Sequence, residues 1–339
     1  MFNFMNKQNR SAPKQAAFHE VIGGCGKMPM HADFIKHNVK VREAVALDDW
    51  IQGGVTLLNR RYEEKWKRVF DLSPNFRFGF IGDDNDKTIS GVIAPSRNKI
   101  GRCYPFVLFR ATDNVIFKQH QSLLPMMLSD SYTTMDQLFK VPWQDKALDT
   151  FLQAIDSTPA FHIDFNDKDW LSHALTVLEN TSIDDLWHDI LPGASESIRV
   201  AFMYVVISSL QTVARRSPQK VHWGLRLPLP SGSQANLHVM FWVKLAETVL
   251  RDRSWRANFL WNPAVPGIPA RLLLFFHQIP SSYFTLLIDS RRTDDTVMDV
   301  LQEIETVNVD PLQLTKYHFP GDMSLQQVLD EVMNQGTGL

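Results

Sequence analysis

Three strand-like segments lie close together between residues 76 and 109, and they constrain the fold more than any other feature of the sequence. Phe76 to Ile81 alternates aromatic and other residues, which is the pattern of a half-buried strand. A turn rich in Gly, Asp and Asn, Gly82 to Lys87, follows it, and Thr88 to Pro95 is the expected partner strand. Tyr104 to Phe109 is almost entirely apolar, so we expect it at the centre of a sheet.

Helix-like segments alternate with strand-like segments along the rest of the chain. Glu43 to Trp66 places its apolar residues mostly on one face of a helix and a charged cluster on the other. Helical spacing of apolar residues predicts further helices over residues 123–138, 146–155, 170–178, 195–214, 236–251, 281–289, 294–305 and 324–334. Short apolar segments predict strands over residues 18–23, 221–229, 255–261 and 271–276. Ser281 is the expected N-cap of its helix. This alternation indicates an α/β protein: a three-layer α/β/α sandwich-like N-terminal domain followed by a second α/β region packed on it.

A length of 339 residues allows one large α/β domain or two ordinary ones. A composition shift at Ser157-Thr158-Pro159 places a soft boundary near residue 160. We therefore expect a flexible tail over 1–17, an N-terminal α/β domain over 18–160 and a C-terminal α/β region over 161–339. The C-terminal region is either a separate domain or packs as one unit with the N-terminal domain.

The overall composition excludes several classes of protein. Apolar residues make up 44% of the chain and the net charge is −2, which argues against binding to nucleic acid or a membrane surface through charge. The two cysteines, Cys25 and Cys103, form no C-x-x-C pair, so neither a zinc site nor a disulfide scaffold is expected. The N-terminal segment has no secretion signal, and the longest apolar run, Val200 to Ile207, is too short to span a bilayer. These features predict a soluble, cytoplasmic protein with no membrane insertion.

The glycine-rich stretch from Val21 to Pro29 superficially resembles a phosphate-binding loop. A P-loop requires glycine where Val21 stands and Ser or Thr where Met28 follows the lysine, so the pattern fails at both positions. Gly23, Gly24 and Gly26 are therefore interpreted as residues that let the end of a strand turn sharply.

Possible acid-base or metal-binding residues cluster just after this stretch. On a helix, Asp33 and His37 would share a face, and His31 is nearby, but a capping Asp beside two partly exposed histidines is the ordinary interpretation. Cys25 is interpreted as a small buried thiol, with a reactive thiol as the alternative. We predict no catalytic residue, no metal and no cofactor, and hence no enzyme.

Arg102 follows Gly101 at the start of the apolar strand, where a charge is either exposed or paired. An ion pair with Asp33 or Asp49 is favoured over partner binding. Trp50, with the other tryptophans Trp66, Trp255 and Trp261, is expected in the core.

Several short patterns, taken in order, resemble the TagF (ImpM) family of type VI secretion accessory proteins. They are Gly26-Lys27-Met28-Pro29, Asp33-Phe34, Asp49-Trp50-Ile51 with Gly53, Phe76-Arg77-Phe78, Pro95-Ser96 with Ile100-Gly101-Arg102 and Tyr104-Pro105, and later Pro280, Phe284, Leu286 and Leu287. The strong resemblance covers residues 20 to 110. Ala32 and Asn98 depart from it, since the family usually has Gly and Asp there.

The resemblance implies a post-translational negative regulator of type VI secretion that acts through protein–protein interaction, with a forkhead-associated-domain (Fha) scaffold as the implied partner. The motif residues that it marks as candidates for partner binding are Lys27, Pro29, Asp33, Phe34, Trp50, Ser96, Gly101 and Arg102. Two alternatives stay open: a structural adaptor of the secretion baseplate or membrane complex, and a cryptic ligand-binding or enzymatic module that uses His31, Asp33, His37 and Arg102. Homodimer formation also stays open.

Overall fold

The computed structural model of the protein describes residues 20–63, 65–83, 86–113, 115–161, 169–232, 234–288, 295–307 and 315–335. The expected flexible tail, 1–17, lies outside these residues. The described part is a mixed α/β structure built on one sheet, with helices around it.

Nine strands of the described part form this sheet. In chain order they are β1 (Glu20–Gly26), β2 (Ile35–His37), β3 (Phe76–Phe80), β4 (Thr88–Ala94), β5 (Phe106–Thr112), β6 (Gly224–Pro228), β7 (Asn258–Asn262), β8 (Arg271–Phe275) and β9 (Val297–Asp299). Their order across the sheet is β2-β1-β5-β4-β3-β7-β8-β6-β9. β6 and β9 pair in parallel, and the other neighbouring strands pair antiparallel. The predicted β3–β4 hairpin and the interior position of β5 are both confirmed.

The sheet runs without a break through both halves of the chain. β3 pairs antiparallel with β7, so that Arg77 lies opposite Trp261 and Phe80 opposite Asn258. Backbone hydrogen bonds therefore connect the first five strands directly to the last four, across the composition shift near residue 160.

Helices pack on both faces of the sheet. They are α1 (Arg42–Tyr62), α2 (Trp66–Phe70), α3 (Val115–Gln119), α4 (Leu124–Met127), α5 (Ser129–Lys140), α6 (Leu148–Asp156), α7 (Asp169–Asn180), α8 (Ile183–Ile190), α9 (Glu196–Arg216), α10 (Ala235–Leu250), α11 (Thr285–Ile288), α12 (Val300–Thr306) and α13 (Leu325–Gln335). Because side chains alternate along a strand, Val107 and Phe109 of β5 join the core beneath α1, whereas Phe106 and Leu108 join the core beneath α5 and α6. The two cores on opposite faces make the predicted three-layer α/β/α arrangement.

One helix of the described part, α9, is long and apolar enough to cross a membrane by length and composition alone. Half of its apolar stretch is buried inside the protein, where α9 packs against α10 and α12. Such packing is that of a core helix.

Two local expectations in the second half are wrong. Ser281 does not cap its helix: a 3₁₀ turn, Ser281–Phe284, precedes α11, and Pro280 holds the cap position without a side-chain hydrogen bond. The helix expected to begin at residue 294 begins instead at Val300, after strand β9; residue 294 itself lies outside the described residues. β9 forms because its backbone pairs with β6, a partner distant in sequence.

Candidate partner-binding surface

Two loops meet at one edge of the sheet. The first motif loop, residues 27–34, joins β1 to β2, and the second motif loop, residues 95–105, joins β4 to β5. β1 and β5 are antiparallel neighbours, and Gly26 at the end of β1 lies opposite Phe106 at the start of β5. The pairing of these strands therefore places the two loops side by side.

Glycines allow β1 to pass close to its neighbours and then turn. Gly26 has a φ of +130°, and a Cβ there would lie 2.1 Å from the carbonyl oxygen of Pro105. The interpretation as a turn residue is right for Gly26. It is wrong for Gly23 and Gly24, which lie within β1, where a Cβ would meet the ring of a neighbouring phenylalanine at 2.7 and 2.8 Å.

Asn98 connects the two motif loops. Its side chain is only 3% exposed, its Nδ2 donates to the carbonyl of Ala32, and its Oδ1 accepts from the backbone N–H of Arg102 at 2.8 Å. The backbone N–H of Lys99 adds a hydrogen bond to the carbonyl of His31 at 2.9 Å. The two departures from the TagF pattern, Ala32 and Asn98, are thus in direct contact.

The second motif loop is itself closed by a turn. The N–H of Gly101 donates to the carbonyl of Asn98 at 2.9 Å, and Gly101 adopts a φ of +79°. A left-handed backbone of this kind is the conformation that glycine adopts without steric cost. Gly101 therefore acts through the backbone and sets the direction in which Ile100 and Arg102 leave the loop.

Basic and apolar side chains cover the outer surface of the paired loops. Phe34, 45% exposed, packs edge-on against Tyr104 with ring centroids 4.8 Å apart, and the Nζ of Lys27 lies 4.5 Å from the Phe34 centroid. Ile100 is 60% exposed and Arg102 is also exposed. We name these four residues, Lys27, Phe34, Ile100 and Arg102, the cationic–aromatic patch.

The two cations of the patch lack a carboxylate partner. Among the described residues, neither Lys27 nor Arg102 forms an ion pair, so the expected pairing of Arg102 with Asp33 or Asp49 is wrong. Partial burial, and then the charge of Arg102, lower the pKa of Lys27, while the more weakly acting Asp33 raises it. Two like charges therefore lie within electrostatic range of each other.

Trp50 has a different role. Its Nε1 donates to the carbonyl of Pro280 at 3.1 Å, and its ring packs against Phe284 with centroids 5.2 Å apart. Gly54 allows this approach, since a Cβ there would lie 2.3 Å from the Cβ of Phe284. Trp50 therefore joins α1 to a segment from the second half of the chain. Trp66, Trp255 and Trp261 are buried in the core, as expected.

Pro29 and Ser96 line a cavity of about 540 Å³ between the motif loops and the end of α5. Its wall includes Met28, whose Sδ accepts a hydrogen bond from the Ser96 hydroxyl at 3.5 Å. Neither Lys27 nor Arg102 lines this cavity. Pro29 and Ser96 thus lie in a different region of the motif loops from Lys27 and Arg102, and Trp50 lies outside these loops.

Two of the residues considered for acid-base or thiol chemistry, His37 and Cys25, are placed by their own strands and partners. His37 lies in strand β2 and not on a helix, and its Nε2 is 2.7 Å from Asp156 of α6. Cys25 is 2% exposed, and burial raises the pKa of its thiol, which confirms the small buried thiol. Within the described ranges, no three His, Cys, Asp or Glu residues are placed to hold a metal ion.

Two residues of this surface were missed by sequence reasoning. In the sequence, Asn98 stands out only because it lacks the charge of the aspartate usual in the family. In the structure, the nitrogen and the oxygen of its side-chain amide each form a hydrogen bond that holds the loops. Ile100 is an apolar residue within a turn. An apolar residue at such a position is the feature of the sequence that could have identified it as part of the surface.

Comparison with known proteins relates part of the chain to one family. Residues 23–158 match the family described as TagF N-terminal domain, type VI secretion system-associated. A solved structure, PA0076 from Pseudomonas aeruginosa PAO1, is similar to the chain, with 14% sequence identity and a TM-score of 0.46, and covers 86% of this chain and 99% of its own. No curated protein matches the chain in sequence.

Proposed function

We propose that the protein, whose residues 23–158 match the type VI secretion-associated TagF N-terminal domain, is a post-translational negative regulator of type VI secretion. It acts in the cytoplasm by binding a component of the secretion machinery, and its partner is a forkhead-associated-domain (Fha) scaffold. It restrains assembly or firing by occupying that partner, without a catalytic step.

The observation that carries this proposal is the pair of motif loops held in a fixed arrangement. Asn98 and the backbone bonds around it order the loops before any partner is present, so little conformational entropy is lost when a partner binds. The outer side of the loops presents charged and apolar side chains together, a composition that suits recognition of another protein.

The second half of the chain extends the sheet that carries the motif loops. Residues 161–339 contribute strands that extend the same sheet, and the segment around Pro280 fixes α1 through Trp50. We propose that the two regions, 18–160 and 161–339, act as one rigid body and that the second is required for folding. Expression of residues 18–160 alone then yields a poorly soluble or unfolded product, and a folded, monomeric fragment would contradict this.

Secretion of the type VI tube protein in three otherwise identical strains tests the proposed function. We expect more secretion on deletion of the gene and less on overexpression, relative to wild type. Loss of secretion on deletion would instead support the structural adaptor of the baseplate or membrane complex. Unchanged secretion in every strain would contradict both roles.

A further inference from the structure

The cationic–aromatic patch has the composition of a site for one anionic and one apolar side chain. Lys27 and Arg102 provide two cationic groups, Phe34 provides exposed apolar surface beside Lys27, and Ile100 adds exposed apolar surface on the loop that carries Arg102. Lys99, on the second motif loop with Arg102, adds an exposed positive charge. Among the described residues, none of the three cations is neutralised by an ion pair.

We propose that this patch binds an acidic segment of a partner protein, with a carboxylate between Lys27 and Arg102 and a neighbouring apolar side chain on Phe34 and Ile100. The inference rests on the proposed function and specifies the chemistry of the partner. A carboxylate relieves the repulsion between the two cations, and the aromatic ring excludes water from the contact, which strengthens the attraction.

The geometry favours a carboxylate group on a protein chain. In an extended peptide, residues two positions apart lie on the same side, so one acidic and one apolar residue can contact the two parts of the patch together. The turn at Gly101 and the hydrogen bond from Asn98 fix the backbone of Arg102, and the Nζ of Lys27 lies against the ring of Phe34. The backbone of one cation and the ammonium group of the other are therefore placed before binding.

A substitution of Asp33 tests the proposal in the opposite direction, because it should strengthen binding where substitutions of Lys27 and Arg102 weaken it. Asp33 is exposed, lies within electrostatic range of Lys27, and repels an incoming carboxylate. Replacing it by the neutral, equally sized asparagine should strengthen the binding of an acidic segment. If the patch residues had only a structural role, the substitution would not produce this gain.

Fluorescence anisotropy with the full chain measures this directly. The probe is a fluorescein-labelled peptide of repeated Glu-Ser-Leu-Ser units, which places Glu and Leu on one face of an extended chain. Two matched peptides carry Gln or phosphoserine in place of every Glu. The protein variants are Lys27→Gln, Arg102→Gln, Asp33→Asn and, as a control on an exposed helix position, Arg60→Gln, each checked for an unchanged melting temperature.

We expect the Glu peptide to bind the wild-type chain and to bind more weakly as NaCl is raised, because salt screens exposed charges. Lys27→Gln and Arg102→Gln each weaken this binding by about two- to five-fold, the range for ion pairs between exposed charged groups. Asp33→Asn strengthens it, and Arg60→Gln leaves it unchanged.

Several results would overturn the inference. They are equal binding of the Gln peptide, binding of the phosphoserine peptide alone, no binding of any peptide, and equal loss in the Arg60 control. The secretion assay separates this inference from the proposed function: a protein that binds the Glu peptide but leaves secretion unchanged on deletion loses its regulatory role and keeps its acidic-segment site.

Discussion

The substitution Asn98→Asp tests whether one buried amide holds the two motif loops together. The shape of the side chain is preserved, and its Oδ1 can still accept from the N–H of Arg102. At neutral pH, however, the second oxygen faces the carbonyl of Ala32, where Nδ2 now donates a hydrogen bond. A lost bond that leaves a buried acceptor without a partner costs about 1–3 kcal/mol. Because the new charge lies in a site only 3% exposed, we expect a total loss of about 2–4 kcal/mol in the free energy of unfolding.

The loss should depend on pH. Burial and the facing carbonyl raise the pKa of the introduced carboxyl above its unfolded value of about 3.9. The protonated carboxyl can donate to Ala32, so the defect is smallest at low pH and grows as pH rises through the folded-state pKa.

Urea unfolding at pH 5 and pH 8 measures this, with exposed Gln52→Glu as the matched amide-to-carboxylate control. For Asn98→Asp only, we expect the loss in free energy of unfolding relative to wild type to be larger at pH 8 than at pH 5. No loss at either pH, or a loss equal to that of the control, would refute the role of Asn98.

Three further predictions follow from buried contacts elsewhere in the structure. Glu20→Ala leaves the buried guanidinium of Arg110 without its ion-pair partner. We expect urea titrations to show a free energy of unfolding lower by about 3–5 kcal/mol, and a change below about 1 kcal/mol would contradict this. Gly54→Ala places a methyl group against Phe284 and should lower the melting temperature by several degrees; an unchanged value would show that α1 can move away at little cost. Burial lowers the pKa of His238, so its contribution to stability is present above pH of about 6.5 and is lost as pH falls through the folded-state pKa. The urea midpoint should therefore be lower at pH 5.5 than at pH 7.5, and His238→Gln, measured as a variant, should reduce that difference.

The long and strongly periodic elements could be predicted from the sequence, because their patterns are local. The alternation in Phe76–Ile81 predicted β3, and the apolar run in Tyr104–Phe109 predicted β5 as an interior strand. The three-residue strands β2 and β9 could not be found in this way. Each exists because a distant strand supplies its hydrogen bonds, β1 for β2 and β6 for β9.

The candidate surface was predictable only in part, for a similar reason. Short patterns marked Lys27 and Arg102, but the ionic partner of a charged residue depends on three-dimensional neighbours. The expected salt bridge of Arg102 is therefore replaced by an exposed guanidinium. Spacing also suggested that Asp33 and His37 share a helix face, whereas pairing with β1 draws His37 into a strand.

We propose that the motif loops form the surface through which the protein restrains secretion. The most direct measurement is secretion of the type VI tube protein in a deletion strain that produces wild type, the Lys27→Gln/Arg102→Gln double variant or Arg60→Gln at equal levels. We predict that wild type and Arg60→Gln restore low secretion and that the folded double variant leaves secretion high. Full restoration of low secretion by the double variant would contradict the claim.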